Sequence, residues 1–162
     1  MKKSCFFIGH READERLLPL LSETIERLIT EENVSYFYVG GYGGFDRVAS
    51  TAVKAAKEVH PEITVMLVIP YHPSEHPIDT PYGFDGTYYP FGLENVPKRY
   101  AIAQANKNLI NTSDWLLCYV KHGASNSRKL LEYAQCREKK GLIQIINLAE
   151  GNTCERNTEV EK

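Results

Sequence analysis

Apolar positions along this chain fall into short runs that alternate with stretches of helical spacing. Ser4 to Gly9 is an apolar run closed by glycine, and from Ala13 to Thr30 the residues Leu17, Leu20, Leu21, Ile25 and Leu28 recur at the spacing of one helix face. Ser35 to Val39 alternates aromatic and β-branched residues, and the pattern then predicts a helix from Phe45 to Val59, stopped by His60 and Pro61. Ile63 to Ile69 is continuously β-branched and aliphatic, as a strand covered on both faces requires, and Pro70 ends it. Beyond a passage rich in proline and tyrosine, the pattern predicts a helix from Val96 to Ile110 and a strand from Trp115 to Val120. A helix from Asn126 to Lys139 and a strand from Leu142 to Ile146 follow.

Strands that alternate with helices throughout imply an α/β fold: a doubly wound, mainly parallel five-stranded sheet with helices on both faces and right-handed crossovers. Residues 1–149 are expected to form one domain, with 71–97 as a lid-like loop and 150–162 as a flexible polar tail. Ligands of open parallel sheets bind beyond the carboxyl ends of the strands. The residues at those ends are Gly9-His10-Arg11-Glu12, Gly40 to Asp46, Pro70-Tyr71-His72 and His122 to Ser127.

Composition narrows the picture. At 162 residues and 43% hydrophobic content the chain can bury one good core. Its net charge of −2 exerts no general pull on nucleic acid or an anionic membrane, so a nucleic-acid partner is expected to be unlikely. The apolar run after Met1-Lys2-Lys3 is too short for a signal peptide, and no stretch approaches the ~20 apolar residues of a membrane helix, so a cytoplasmic protein is expected. Cys5, Cys118, Cys136 and Cys154 lack the spacing of a zinc site, and no metal is expected.

The glycines Gly40, Gly41, Gly43 and Gly44 stand between a strand and a helix. Such a loop lets the backbone approach a ligand closely and aims the free N–H groups of the next helix at an anion. It matches neither the GxGxxG spacing nor the P-loop, so a plain strand-to-helix turn is the competing reading. Arg11 offers a planar fork to phosphate oxygens, with His10 beside it; alternatively Arg11 pairs with Glu12 or Asp14. Asp46, next to Phe45 in the first helical turn, either stabilises the helix end or accepts hydrogen bonds from ribose hydroxyls. Ser125, Asn126 and Ser127 are suited to capping a helix and also to donating to a second phosphate. Tyr71 opens the lid-like loop, whose aromatics could stack on a base or be buried between copies of the chain. Asn106 lies near the helix face that must pack on the sheet. No nucleophile elbow, HExxH motif or catalytic triad is spaced along the chain, so binding is better supported than catalysis.

Several ordered motifs together carry a resemblance. They are Phe7-Ile8-Gly9-His10-Arg11, the run from Gly40 to Asp46, His60-Pro61-Glu62-Ile63 leading into Leu67 to Tyr71, Gly92 to Pro97, Asn106 ahead of Ser113-Asp114, and Leu131-Glu132-Tyr133-Ala134. In these the chain resembles the SLOG superfamily, and the YpsA-like proteins within it, from Cys5 to about Ala149. The resemblance implies a Rossmann-like fold that binds nucleotides or nucleotide-derived ligands at its strand-end glycine loops, Gly123 included. Two departures stand out. Ser125-Asn126 occupies the place of a second glycine pair, and the PGGxGTxxE motif of the LOG phosphoribohydrolases is absent. The expectation is therefore a protein that binds or senses a nucleotide or an ADP-ribose-like ligand and requires no cofactor, and that is a possible homo-oligomer. A phosphoribohydrolase acting on nucleoside monophosphates is the first alternative, and DprA-like binding of single-stranded DNA the second.

Overall fold

The computed structural model describes residues 2–41, 43–74, 79–90, 92–121 and 125–149. In chain order the elements are β1 (Lys3–Gly9), α1 (Leu18–Glu31), β2 (Val34–Val39), α2 (Gly44–Val59), β3 (Thr64–Val68), β4 (Gly86–Tyr88), α3 (Lys98–Thr112), β5 (Trp115–Tyr119), α4 (Asn126–Lys139) and β6 (Gln144–Asn147). All pair in parallel in one six-stranded sheet of order β4-β3-β2-β1-β5-β6. Strand order reverses beside β1, the position at which crossing connections leave a crevice above a parallel sheet.

Strand alternation divides the core in two. Cys5 and Phe7 of β1 point to one face and pack with Leu21, Ile25 and Leu28 of α1 and Val48, Ala52 and Val53 of α2. Phe6 and Ile8 point to the other face, where Ala105 and Leu109 of α3 and Leu130, Leu131 and Ala134 of α4 cover them. The α1 set recurs at i, i+4 and i+7, so one apolar stripe is buried and the acidic remainder is left to solvent.

The sheet has six strands where the pattern predicts five. The additional strand, β4, lies inside the passage read as a lid-like loop. Its three residues are too few for any periodic signal, and a side-chain clamp sets it. The Val65 amide donates to the Asp85 carboxylate at 2.7 Å, and the Asp85 amide donates back to the Val65 carbonyl at 2.8 Å. Lys57 then pairs with Asp85 at 3.1 Å.

Three element starts also differ from the pattern. Asp14 caps a 3-10 turn at Glu15–Leu17, so α1 begins at Leu18 instead of Ala13. Pro97, lacking an N–H, holds extended backbone and moves the start of α3 to Lys98. After α4 the Leu142 amide turns back to the Arg137 carbonyl at 3.1 Å and Gly141 to Glu138 at 2.9 Å, which delays β6 to Gln144. Among the described residues no helix is long and apolar enough to cross a membrane. The proposed tail, 150–162, lies outside the described residues.

Candidate functional site

A cleft opens at the carboxyl ends of β1, β2 and β3, roofed by α3 and by the start of α4. Gly9, Arg11, Gly40, Asp46, Asn106, Asn126 and Ser127 line it, so seven of the residues singled out from sequence converge there. Ile8, Val68, Pro70, Ile102, Ala105 and Leu130 supply its apolar wall. Ile8, Val68 and Pro70 stand at strand ends already legible in the sequence, whereas Ile102, Ala105 and Leu130 carried no signal of their own and reach the cleft only because the crossovers lay α3 and α4 over the sheet edge.

The glycine loop is shaped by packing as much as by any ligand. Gly43 holds φ at +99°, a conformation that L side chains rarely adopt, and it turns the chain into α2. Gly44 sits so close to the carbonyls of Arg11 and Ala13 that a β-carbon there would overlap both. The Gly44 amide donates to the Arg11 carbonyl at 2.9 Å and the Phe45 amide to that of His10 at 3.2 Å, while the Phe45 ring lies directly against Gly9. Two of the first N–H groups of α2 are thus spent on the loop after β1 and do not face an anion. Gly41 is exposed and does not line the cleft.

The start of α4 presents the better donor set. Ser125 caps it, its hydroxyl accepting from the Arg128 amide at 3.1 Å. Ser127 donates its hydroxyl to the Gly9 carbonyl at 3.0 Å, which fixes the helix end over β1. The first-turn amides of Asn126 and Ser127 lie ahead of any intrahelical carbonyl, beside the cleft. Gly123 lies outside the described residues.

Arg11 is exposed, and its stem lies over Gly43, with Cγ 3.0 Å from where a β-carbon would stand. Neither acid considered as its partner takes it among the described residues. Asp14 is held by Arg16 at 2.8 Å, and that partnership lowers the Asp14 carboxyl below its ordinary range. Asp46 brings a carboxylate into the same cleft, 2.9 Å from where a β-carbon on Gly40 would stand. A guanidinium, helix-end amides and one carboxylate therefore share one small space. The guanidinium and amides suit a phosphate, and the carboxylate suits a hydrogen-bond donor beside it.

His10 is not part of this group. Its Nε2 accepts from the Lys121 amide at 2.7 Å, and the ring meets Tyr119 edge-on at 6.1 Å, so it ties the loop after β1 to the end of β5. A buried amide, Asn147, does the companion work from β6. It accepts from the Val120 N–H at 3.1 Å and donates to the Val120 carbonyl at 2.9 Å. The only hint of it in sequence is an amide at the end of a short apolar run, Ile145-Ile146. Tyr71 lines an adjoining groove with His72, Tyr89 and Lys98; Pro70 and the first turns of α3 connect that groove to the cleft.

Charge is distributed unevenly around this site. α3 carries Lys98, Arg99 and Lys107 and no carboxylate; α4 carries Arg128, Lys129, Arg137 and Lys139 against Glu132 and Glu138. The net charge of −2 therefore conceals two basic helices whose first turns, with Lys98-Arg99 and Arg128-Lys129, stand nearest the cleft, while Arg137 donates to the Asn111 carbonyl at their other end.

Solved structures share the fold, among them two of the same bacterial protein type. DNA processing protein A (DprA) from Streptococcus pneumoniae superposes with a TM-score of 0.59 at 13% identity, over 94% of this chain and 61% of that one. DprA from Helicobacter pylori, described for its single-stranded DNA binding mode, superposes with a TM-score of 0.51 at 17% identity, over 96% of this chain and 81% of that one. The chain thus spans about three fifths of the length of the S. pneumoniae protein. No protein-family model and no curated protein matches it. The expectation that nucleic acid is an unlikely partner does not stand. A protein of this fold is described as binding single-stranded DNA, and net charge says nothing about the local basic face that such binding uses.

Proposed function

We propose that the cleft binds single-stranded DNA by its phosphates, with Arg11 and the α4 amides of Asn126 and Ser127 as the anchoring donors. The observation that carries this reading is the size and company of the cleft. At about 130 Å³ it is well below the ~300–1,000 Å³ of a small-molecule pocket, so it suits one phosphate of a ligand that continues outside. The continuation runs into the aromatic groove of Tyr71, His72 and Tyr89, beside Lys98 at the start of α3. Membership of the SLOG superfamily belongs to the same proposal. It is supported by the ordered motifs and by the fold shared with the DprA structures.

The test is fluorescence anisotropy with labelled oligothymidine at two salt concentrations. Binding should weaken as salt rises, with a log–log slope of about −0.7 per phosphate neutralised. Arg11→Ala should weaken it at least about tenfold, as loss of a charge-assisted contact predicts, with unchanged thermal unfolding. Equal affinity of wild type and Arg11→Ala would overturn the assignment.

One observation favours a second reading. The adjoining groove offers about 460 Å³, enough for the base and sugar of a single nucleotide or an ADP-ribose-like ligand whose phosphate sits in the cleft. Competition of AMP or ADP-ribose against the labelled strand distinguishes the two. Chromatography of the same mixtures reports whether Asp46 supports release of a base.

A further inference from the structure

The sheet is covered unevenly over β2, β3 and β4. Toward α1 and α2 the face is sealed, and Phe37, Val39 and Val65 have no exposed area. On the opposite face the alternate positions Tyr36, Tyr38, Met66 and Tyr88 remain partly exposed, because α3 and α4 pack chiefly over β1 and β5. A doubly wound sheet ordinarily buries both faces of such strands.

Three tyrosines make this surface one aromatic strip. The rings of Tyr36 and Tyr38 are nearly parallel at 15° with centroids 6.5 Å apart, and Tyr38 meets Tyr88 at 5.2 Å. The Lys2 ammonium stands 5.5 Å from the Tyr36 ring. Ile8 and Val68, on the same face, line the cleft, and Tyr38 packs against the cluster that holds Ala105 of α3. Strand rise places Tyr36 about 13 Å from Gly40 at the cleft floor. The strip is therefore continuous with the cleft and flanked by cations at both ends.

We propose that Tyr36, Tyr38 and Tyr88 form a stacking platform for the bases of a single strand whose phosphates are held at the Arg11 cleft, a proposal that rests on the single-strand reading above. Rings with polar hydroxyls beside an ammonium match planar bases on a phosphate chain, and base stacking on such rings tolerates any sequence. A purely apolar protein partner would leave the Lys2 ammonium facing an uncharged surface.

Two labelled probes test it, each about a dozen nucleotides long, within the ~4–16 of single-strand sites: oligothymidine and an abasic strand of equal phosphate count. Tyr36→Ala should weaken oligothymidine roughly tenfold, leave the abasic strand unaffected, and be rescued by Tyr36→Phe, with circular dichroism confirming the fold. Arg11→Ala should weaken both probes. If Tyr36→Ala and Tyr88→Ala bind oligothymidine as wild type does while Arg11→Ala loses it, the platform is wrong and the cleft stands. If the tyrosine variants lose it and Arg11→Ala does not, the cleft reading fails alone. Concentration-dependent self-association in sedimentation, removed by Tyr36→Ala, would give this face to a second copy and overturn the proposal.

Discussion

Gly44 has carbonyl oxygens from Arg11 and Ala13 where a side chain would have to stand, and both belong to backbone that cannot swing away. Gly44→Ala should therefore cost about 3 kcal/mol, at the upper end of overpacking effects, measured by urea unfolding. Gly41→Ala, whose new carbon would meet only Leu67 at 3.7 Å, should stay within about 0.5 kcal/mol. Equal losses would mean that the loop yields as a whole. The clustering of these glycines is plain in the sequence. Their division of labour is not, because it depends on which carbonyls the loop after β1 brings against α2. Arg11 teaches the same lesson. Glu12 and Asp14 are its near neighbours in the chain, yet Asp14 is committed to Arg16.

At the scale of elements, the four helices and five of the strands follow from periodicity, since each buries enough residues to leave a pattern. β4 escapes because its placement comes from one carboxylate shared by the Val65 amide and Lys57. Asp85→Ala should lower stability by about 1 kcal/mol, as loss of a hydrogen-bonding partner does, and loosen the sheet edge. Amide exchange reports this directly. The Ile69 amide, which donates to the Tyr88 carbonyl at 2.9 Å, should exchange faster in the variant. Unchanged protection of Ile69 would show that β4 is held by something other than the clamp. The basic character of α3 was equally visible in its residues; what composition obscured was that acids elsewhere in the chain balance it.

Across the whole molecule, Cys5 on the central strand β1 and Cys118 on β5 are, among the described residues, titratable groups with no exposed area, and Cys5 is the one whose shift has a clear cause. Burial pushes its thiol far above the ordinary 9.0. Below that value both folded and unfolded chains keep the proton. Above it the unfolded chain loses the proton and the folded one does not, so stability falls as pH rises past about 9, by up to ~1.4 kcal/mol per pH unit for this one group. Urea unfolding at pH 8, 9 and 10 should show a shallower decline in Cys5→Ala than in wild type, whatever its effect on absolute stability. Parallel slopes would remove Cys5 from the account. Taken alone, the sequence determined the order of the four helices and of every strand but β4, the two-faced core and the strand-end positions from which a site is built, because periodic burial and turn chemistry are local. Tertiary structure decided the rest: that His10 serves the scaffold, that α4 and not α2 offers its amides to the cleft, and that the basic first turns of α3 and α4 stand nearest it. These depend on which distant segments the crossovers bring together, and no local pattern encodes that.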